Sequence, residues 1–539
     1  MRCTLLLAAL LGCSANQVAP PVDGGQVAPR CSGSVTCDGL LLRACRDGEV
    51  GEQIGDCESE GACSSGRCMS TTCMLAERDR SSFAAGCLFY TAEVDNVDSD
   101  ADLATSFLVT NPGGASAMAV LQRRGTSEPW VAVAEASIAA GKSARLLAPP
   151  GFKIAGSGPR PAAALRVSSD RPVTVEQIES DDSDENALSS GGTLLLPIHV
   201  LGSHYLVMTY PQVETAAVAA TGGGAGGAGR LIIVGTQAGT GVTIKASTSA
   251  VVGLSAPDAG FETTLGDGDV LQAWTDGDGV DLSGSEIVTT HPVAVFSGNI
   301  ATTYGKTAPG IHSPDMAHEQ MPPVYAWSLK YVAAALPPQA GVCDPLIGPP
   351  GTSVWRLLAA NAHTNVRFMG PDGVPPVHED LTMVAGQVLE VYATSDFVVT
   401  SSEPLLMTQG IDCEPSLSLA VSADQLLADV SFAVLPSFDQ MVAIARVHSA
   451  LVPSDHAHDV PVLLDGELVD DTLFSPAGGG YEVARVLLSP CLGEQVCTHR
   501  LVGSFGMTLR GMDVLASYAL TAPAWMGCND PFFDSSCVP

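Results

Sequence analysis

The densest group of side chains that could do chemistry lies near the middle of the chain. It contains His312, Asp315, His318 and Glu319. Imidazole and carboxylate groups are common zinc ligands, and such a site would support metal-dependent hydrolysis. The two histidines are six residues apart in a segment interrupted by proline, which excludes the helical His-Glu-x-x-His geometry. We expect a loop with structural hydrogen bonds, and metal binding is the weaker alternative.

An acidic turn offers a second possible metal site. Asp276, Asp278 and Asp281 alternate as in a calcium-binding loop. The EF-hand pattern is broken, because Asp281 stands where glycine is required and Ile287 stands where the bidentate glutamate is required. The sequence favours a solvated β-turn, and structural calcium is the alternative.

Other motifs carry weaker chemistry. His456 and His458 would lie on one face of an extended strand and could bind a transition metal. The acidic run 181–185 is typical of a solvated loop, and the glycine-rich run 222–229 of a flexible linker. The sequence contains no Gly-x-Ser-x-Gly motif and no spacing that supports a catalytic triad. It therefore assigns no catalytic residue, no cofactor and no firm metal ligand, and we expect no enzymatic activity.

The N-terminus has the pattern of an export signal. Residues 1–12 combine a basic start with a short apolar core, and Leu10-Leu11-Gly12-Cys13 resembles a bacterial lipobox. The resemblance implies cleavage before Cys13 and a lipid on Cys13; an ordinary secretion signal is the alternative. Ser14 in place of an inner-membrane retention residue favours the outer membrane or cell surface of a Gram-negative source. Residues 13–30 are polar and rich in glycine and proline, which predicts a tether.

The cysteines indicate disulfides. Of 16 cysteines, 14 remain when Cys3 and Cys13 are set aside, an even number in an exported chain. A Cys-rich module is predicted at 31–87, where six cysteines allow 15 pairings: Cys31, Cys37, Cys45, Cys57, Cys63 and Cys68. Zinc is disfavoured there, because residues 31–68 contain no histidine and no Cys-x-x-Cys. The other candidate pairs are Cys73–Cys87, Cys343–Cys413, Cys491–Cys497 and Cys528–Cys537.

Bulk composition limits the function classes. A formal charge of −33 argues against nucleic acid, which requires clustered lysine and arginine, and against electrostatic binding to anionic lipid. Hydrophobic residues make up 46% of the chain and charged residues 15%, which excludes general disorder. With 56 glycines and 36 prolines, the composition favours a loop-rich β protein.

A phrase repeated along the chain predicts the architecture. It occurs at 169–175, 290–295 and 402–407, with prolines 120 and 112 residues apart. Each copy has a polar pair, a proline that we expect to open a strand, and alternating apolar residues that would enter a core.

The phrase and the β-rich runs around it predict an all-β fold of tandem β-sandwich-like repeats of about 115–120 residues, or alternatively a β-propeller. Within a domain at 88–525, we expect units at about 100–222, 229–340 and 350–437 and a partial one at 440–522. A tail at 526–539 would follow.

Several segments resemble one known family. His291–Asn299, His318–Pro323 and Trp327 are similar to the N-terminal domain of the IgGFc-binding protein family, as are 412–417 and Phe505-Gly-Met507 with Ser517-Tyr518. The resemblance spans about residues 100–522. It implies an extracellular β-rich recognition module without catalysis, and the family name implies binding of immunoglobulin Fc. Many members have cysteines after the Ser-Gly-Asn triplet and before the Glu-Gln-x-Pro stretch, and this chain has none between Ile300 and Met321.

We therefore expect a lipid-anchored surface protein for recognition or adhesion, whose partner is an extracellular protein or glycan. A structural envelope component is the second hypothesis, and a metal-dependent hydrolase using residues 312–319 is the third. Binding residues are not assigned, but the run Phe296-Ser-Gly-Asn299 leading into the histidine-containing loop is where we expect a functional face.

Overall fold

A computed structural model describes the chain from residue 35 to residue 521, with gaps. Within that span the structure does not describe positions 39, 47–48, 58–60, 65–66, 80–83, 95–103, 126–129, 150, 155, 180–188, 214–226, 256–259, 303–314, 337–352, 372–378, 412–415, 425, 449–460, 490, 492–493 and 513–516. The predicted signal peptide, the predicted tether and the predicted C-terminal tail also lie outside the described residues, as do Cys13, Cys31, His312, Cys343, Cys413, His456, His458, Cys528 and Cys537.

The N-terminal module is small and cross-linked. Its elements are β1 (Val35–Asp38), β2 (Leu41–Arg46), β3 (Glu49–Asp56), β4 (Gly61–Ser64), β5 (Arg67–Ser70) and helix α1 (Thr71–Asp79). Cys37 is bonded to Cys63 and Cys57 to Cys68, with Cα atoms 5.8 and 5.0 Å apart. No helix among the described residues is long and apolar enough to cross a membrane.

Four units follow, and each contains the same seven strands with local additions. The first has β6 (Gly86–Thr91), β7 (Ser106–Asn111), β8 (Ala117–Arg124), β9 (Trp130–Ile138), β10 (Lys142–Leu147), β12 (Leu165–Glu179) and β13 (Gly191–Leu194). The short strand β11 (Gly158–Arg160) lies between β10 and β12 in the chain but belongs to the sheet of the second unit. The second has β14 (Gly202–Leu206), β15 (Gly229–Gly235), β16 (Thr240–Lys245), β17 (Val251–Val252), β18 (Phe261–Leu265), β19 (Val270–Thr275), β20 (Glu286–Thr302) and β21 (Asp315–Gln320).

The third and fourth units repeat this order. The third has β22 (Ser328–Ala333), β23 (Ser353–Ala359), β24 (Thr364–Met369), β25 (Leu381–Met383), β26 (Val388–Ala393), β27 (Phe397–Ile411), β28 (Leu417–Leu419) and β29 (Val421–Ser422). The fourth has β30 (Leu427–Val434), β31 (Asp439–Val447), β32 (Leu463–Leu464), β33 (Glu467–Leu468), β34 (Ser475–Gly478), β35 (Tyr481–Leu487), β36 (Cys497–Met512) and β37 (Ser517–Thr521). Short 3-10 helices cover Ile198–Val200, Val324–Ala326 and Asp471–Leu473.

One long strand organises each unit. In the second unit, β20 pairs through residues 286–289 with β16 and through residues 293–299 with β15, always antiparallel. The long strands β12, β27 and β36 divide their partners in the same way. Ile287 in the first half of β20 and Val295 in the second half belong to one apolar core. Each unit is therefore a sandwich whose two layers share a bent strand, and the all-β prediction is confirmed.

The repeated phrase forms the bend of the long strand. Its prolines lie inside β12, β20 and β27 and not at their starts: Pro172, Pro292 and Pro404. The expectation that this proline opens a strand is therefore wrong. Pairing with the first strand of the unit shifts at the bend, since Gly202 lies opposite Val293 whereas His204 lies opposite Val288. A residue in such a bulge need not donate to the ladder, which is why proline is tolerated there.

The four units close into a ring. Ile232 and Phe296 of the second unit share a core with Val109 of the first. Leu358 of the third unit packs into the core of the second, and Val398 of the third packs with residues of the fourth. The ends of the domain also meet, because Leu108 and Ile178 of the first unit lie in one core cluster with Phe432 of the fourth. The last strands β13, β21, β28 and β37 contact one another in turn around the centre.

The strand pairing places the boundaries between units at different positions from those that the sequence predicted. The units occupy 86–194, 202–320, 328–422 and 427–521, so each one starts one strand earlier than the sequence predicted. The first strand of a unit follows the preceding unit closely, but it pairs with the long strand much farther along the chain. The fourth unit, predicted to be partial, contains all seven strands. The glycine-rich run 222–229, of which 222–226 lie outside the described residues, follows β14 in the sequence and ends at the first residue of β15, and both strands belong to the second unit.

The N-terminal module is attached to the bend of the first unit. Cys73 in α1 is bonded to Cys87 in β6. The Ser70 hydroxyl donates to the Asp170 carbonyl at 2.6 Å, and the Cys73 sulfur lies 3.6 Å from the Ser169 carbonyl oxygen. The module thus covers the first copy of the repeated phrase.

Candidate functional site: a polar groove on the third unit

The three described members of the predicted metal cluster do not form a metal site, and His312 lies outside the described residues. Asp315, His318 and Glu319 lie on β21, where successive side chains point to opposite faces, and all three are buried. Asp315 accepts hydrogen bonds from the Ser189 hydroxyl and the Ser190 amide, both at 2.8 Å. Among the residues that the structure describes, no three His, Cys, Asp or Glu side chains are placed to hold a metal ion. This part of the predicted cluster is used in the contact between the first two units.

His318 and Glu319 are kept uncharged by burial. The His318 ring stacks on Phe296 with centroids 5.4 Å apart. Burial lowers the pKa of His318 well below its ordinary value, and the charge of Arg230 lowers it further. Glu319 accepts a hydrogen bond from the Thr193 hydroxyl at 2.6 Å, and burial raises its pKa to about 8. A neutral imidazole and a protonated carboxyl on opposite faces of one strand do not form an acid–base pair.

The acidic turn contributes one carboxylate to a contact between units. Asp281 pairs with Arg356 of β23 at 2.6 Å and accepts a hydrogen bond from the Ser283 hydroxyl at 2.7 Å. Burial alone would raise the pKa of Asp281, but the charge and hydrogen bond of Arg356 outweigh it and hold the pKa below its ordinary value. Asp276 and Asp278 are exposed, and these described carboxylates form no cation site.

The expected functional face at 296–299 is buried. Asn299 accepts a hydrogen bond from the Tyr210 amide at 2.8 Å and donates to the Tyr210 carbonyl at 2.9 Å. Ser297 donates to the Met208 carbonyl at 2.7 Å. The polar groups of this run hold the segment after β14 against β20. The run 296–299 therefore offers no accessible face, and the loop at 303–314 that follows it lies outside the described residues.

An accessible polar groove lies on the third unit. It has a volume of about 370 Å³ and is formed by β24, β25 and β27. Its lining residues are Asn365, Val366, Arg367, Asp380, Leu381, Thr382, Thr400, Ser401 and Ser402. Val366 is buried and Leu381 is half-buried, so the side chains that face solvent are polar.

Two hydrogen bonds order one wall of the groove. The Thr382 hydroxyl donates to Oδ1 of Asn365 at 2.7 Å, and the backbone amide of Asn365 donates to the Ser402 hydroxyl at 2.9 Å. Nε of Arg367 and Oδ2 of Asp380 are 3.9 Å apart, and the two side chains are 67% and 62% exposed. An ion pair this long and exposed is weak. A donor group and an acceptor group therefore stand side by side, accessible to a ligand.

The second unit has the same framework with other side chains. Val366 lies opposite Ser401 as Val242 lies opposite Thr289, so the positions correspond strand for strand. The Gly241 amide donates to the Thr290 hydroxyl at 2.8 Å, which matches the Asn365–Ser402 bond. Asn365, Arg367 and Thr400 of the third unit correspond by register to Gly241, Thr243 and Val288 of the second.

No sequence motif predicts this groove. Its polar residues are distributed over about forty positions of one unit, and none of them forms a local motif. The available signal was the alignment of the repeated phrase, which places Thr400 four residues before Pro404 as Val288 stands four residues before Pro292. The strands that precede the phrase can be aligned between units only when it is known which strands pair, and the phrase alone does not give this information.

The groove lies in a region matched by a known family. The family model described as IgGFc binding protein matches residues 191–511, which is 321 of the 539 residues. The chain belongs to the IgGFc binding protein family. No curated protein matches it.

The family region of this IgGFc-binding-family chain does not coincide with the ring. It begins at β13, the last strand of the first unit, and ends in β36 of the fourth. It contains the whole third unit with its groove. It omits β6 to β12, although Leu108 and Ile178 from those strands complete the core of the fourth unit.

Proposed function

We propose that this protein is a lipid-anchored surface recognition or adhesion protein that binds an extracellular protein or glycan without catalysis. The observation that carries the proposal is the polar groove of the third unit, an accessible concavity on a closed ring of packed units. Binding sites are typically concave and present a few converging polar groups on a rigid scaffold.

Family membership supports a binding role. The family is named for binding immunoglobulin Fc, and we extend to this chain only the recognition of an extracellular macromolecule. The buried positions of His318 and Glu319 and the pairing of Asp281 with Arg356 support a role without catalysis, since each of these groups has a structural partner.

Export and anchoring rest on the N-terminus and on the cysteines. Cys37–Cys63, Cys57–Cys68, Cys73–Cys87 and Cys491–Cys497 are disulfides, which persist in oxidising compartments. We propose that Cys13 carries the lipid and that residues 13–30 hold the ring away from an outer membrane or cell surface.

The binding role is tested with the mature chain carrying Cys13→Ser. Immobilised protein is exposed to immunoglobulin Fc, mucin, matrix proteins and a glycan array, and we expect saturable binding to at least one of them. Absence of binding to the whole set would contradict the recognition role. Anchoring is tested separately by metabolic labelling with a fatty-acid analogue, which we expect to label the natural chain and not Cys13→Ser.

A further inference from the structure

We infer that the groove of the third unit is a carbohydrate-binding site that recognises neighbouring hydroxyl groups of a neutral sugar. This inference rests on the proposed recognition function and specifies the ligand class of its site. It is carried by the side chains that line the groove and by their differences from the equivalent positions of the other units.

The size and openness of the groove suit a sugar unit. A volume of about 370 Å³ lies near the lower end of the range for small-molecule sites. Because Asn365, Asp380, Thr382 and Ser402 are exposed, the ligand would be held at a surface and not enclosed. Such a site accepts the end or an internal residue of a longer glycan.

The polar groups complement hydroxyl groups. A sugar hydroxyl both donates and accepts, so a donor and an acceptor placed side by side bind two neighbouring hydroxyls. Arg367 supplies several N–H donors in one plane, and Asp380 supplies an acceptor 3.9 Å away. Oδ1 of the Asn365 side chain accepts a hydrogen bond from Thr382, so the side-chain N–H groups of Asn365 are the donors that it can offer to a ligand.

The same lining disfavours other ligand classes. The binding energy of protein partners is concentrated in a few well-packed, desolvated anchors, most often tryptophan, tyrosine and arginine. The nine described lining residues include no aromatic side chain, and their one arginine, Arg367, is 67% exposed. An anionic ligand would approach Arg367 but would be repelled by the adjacent Asp380. A neutral polyhydroxylated ligand fits both charges.

The internal repeats show that these side chains are not required by the framework. In the third unit, a backbone amide of β24 donates a hydrogen bond to a hydroxyl group of β27. The same kind of bond occurs at Gly241 in the second unit. In the first unit, the equivalent bond is donated by the Met118 amide to Asp170 at 2.8 Å. The counterparts of Asn365 are thus glycine and methionine. Folding of the unit therefore does not demand a side-chain amide there, and the amide of Asn365 is available for binding.

The test compares matched variants of the full mature chain. Neutral mono- to tetrasaccharides are screened on an array, and mucin and matrix proteins are tested with and without enzymatic deglycosylation. Affinities of the best hit are measured by calorimetry for the natural chain, Arg367→Ala and Asp380→Ala. The controls are Thr243→Ala and Glu262→Ala, at the corresponding positions of the second unit. We expect a loss of affinity of roughly tenfold or more for the two groove variants, since each removes hydrogen bonds to a charged group, and no change for the controls. Unchanged melting temperatures will show that the variants are folded.

Three outcomes overturn the inference. Binding of a neutral glycan with unchanged affinity in both groove variants places the site elsewhere, and the recognition function stands. Binding only to deglycosylated protein rejects the carbohydrate class, and the recognition function also stands. Absence of binding to any glycan or protein rejects the carbohydrate site together with the recognition function.

Discussion

The carboxyl of Glu176 in the first unit accepts a hydrogen bond from the amide of Ala433 in the fourth, with 3.3 Å between Oε1 and the nitrogen. The two residues are 257 positions apart, and their contact lies where the ring closes. Thr174, Leu194, Val430, Ser431, Phe432, Met507, Leu509 and Leu520 surround this carboxyl, and none of them is charged. Burial raises the pKa of Glu176 to about 8, so this carboxyl is protonated at neutral pH in the folded chain.

Stability should therefore increase towards acidic pH. The pKa of Glu176 is about 8 in the folded chain against 4.5 for the free group, and Glu93 and Glu319 are also raised to about 8. Their contribution is complete below pH 4.5 and is lost as the pH rises towards 8, at up to about 1.4 kcal/mol per pH unit for each group. Thermal unfolding should show a higher melting temperature at pH 5 than at pH 8.

Glu176→Gln tests whether the Glu176 carboxyl contributes to this pH dependence of stability. The amide cannot ionise, so the pH dependence should be reduced, and Glu135→Gln on an exposed strand position serves as the control. A variant with the same pH slope as the natural chain would show that Glu176 ionises freely in the folded state.

The family region alone should not fold stably. A fragment of residues 191–511 lacks Leu108 and Ile178, which lie in the core of the fourth unit, and leaves that core open to water. We expect the fragment to aggregate or to melt without cooperativity, whereas residues 86–521 should give a cooperative transition. Near-ultraviolet circular dichroism and calorimetry make the comparison. Equal cooperativity of both fragments would mean that the ring need not close.

Arg356→Ala should destabilise the contact between the second and third units. Arg356 is almost fully buried and pairs with Asp281, which would be left without its cation. Breaking such a pair costs about 3–5 kcal/mol when both groups are fully buried, and we expect about 2–3 kcal/mol because Asp281 is partly exposed. Urea unfolding measures the difference. Arg500→Ala, which removes an exposed pair with Asp429, should change stability by less than about 1 kcal/mol. Equal effects of the two variants would contradict the role of Arg356.

Tyr205→Phe should loosen the bend of β20. The Tyr205 hydroxyl accepts from the Gly202 amide at 2.8 Å and donates to the Val293 carbonyl at 2.7 Å, next to Pro292. Loss of the hydroxyl leaves both buried backbone groups without this partner, which costs about 1–3 kcal/mol. Tyr392→Phe, which removes a hydroxyl that donates to the exposed carboxylate of Glu390 at 2.6 Å, is the control. Hydrogen exchange at residues 287–295 should increase only in the first variant. No difference between the variants would show that the bend holds without the hydroxyl.

The sequence predicted strands better than their partners. Alternating runs such as Thr240–Lys245, with Val242 and Ile244 inward, identify strands because burial alternates along one segment. The phrase around Pro292 identified the repeat, but its position inside β20 depends on two strands that pair with either side of the bend. Cys73–Cys87 and Cys491–Cys497 were proposed from short separations, and both are bonded in the structure.

The candidate site was less predictable. His318 and Glu319 look like a reactive pair in sequence, yet one stacks on Phe296 and the other bonds Thr193, both distant along the chain. Conversely, Arg367 and Asp380 attract no notice in sequence and form the exposed pair of the groove.

By itself the sequence determined the all-β class, the copying of one unit and the family, because these depend on local periodicity and on motifs within single segments. Only the tertiary structure decided that the fourth unit is complete, that the ends meet at Glu176 and Ala433, and which polar residues face solvent. These features depend on pairing between distant strands. A side chain's burial, charge state and accessibility follow from its neighbours in space, and a linear pattern does not specify them.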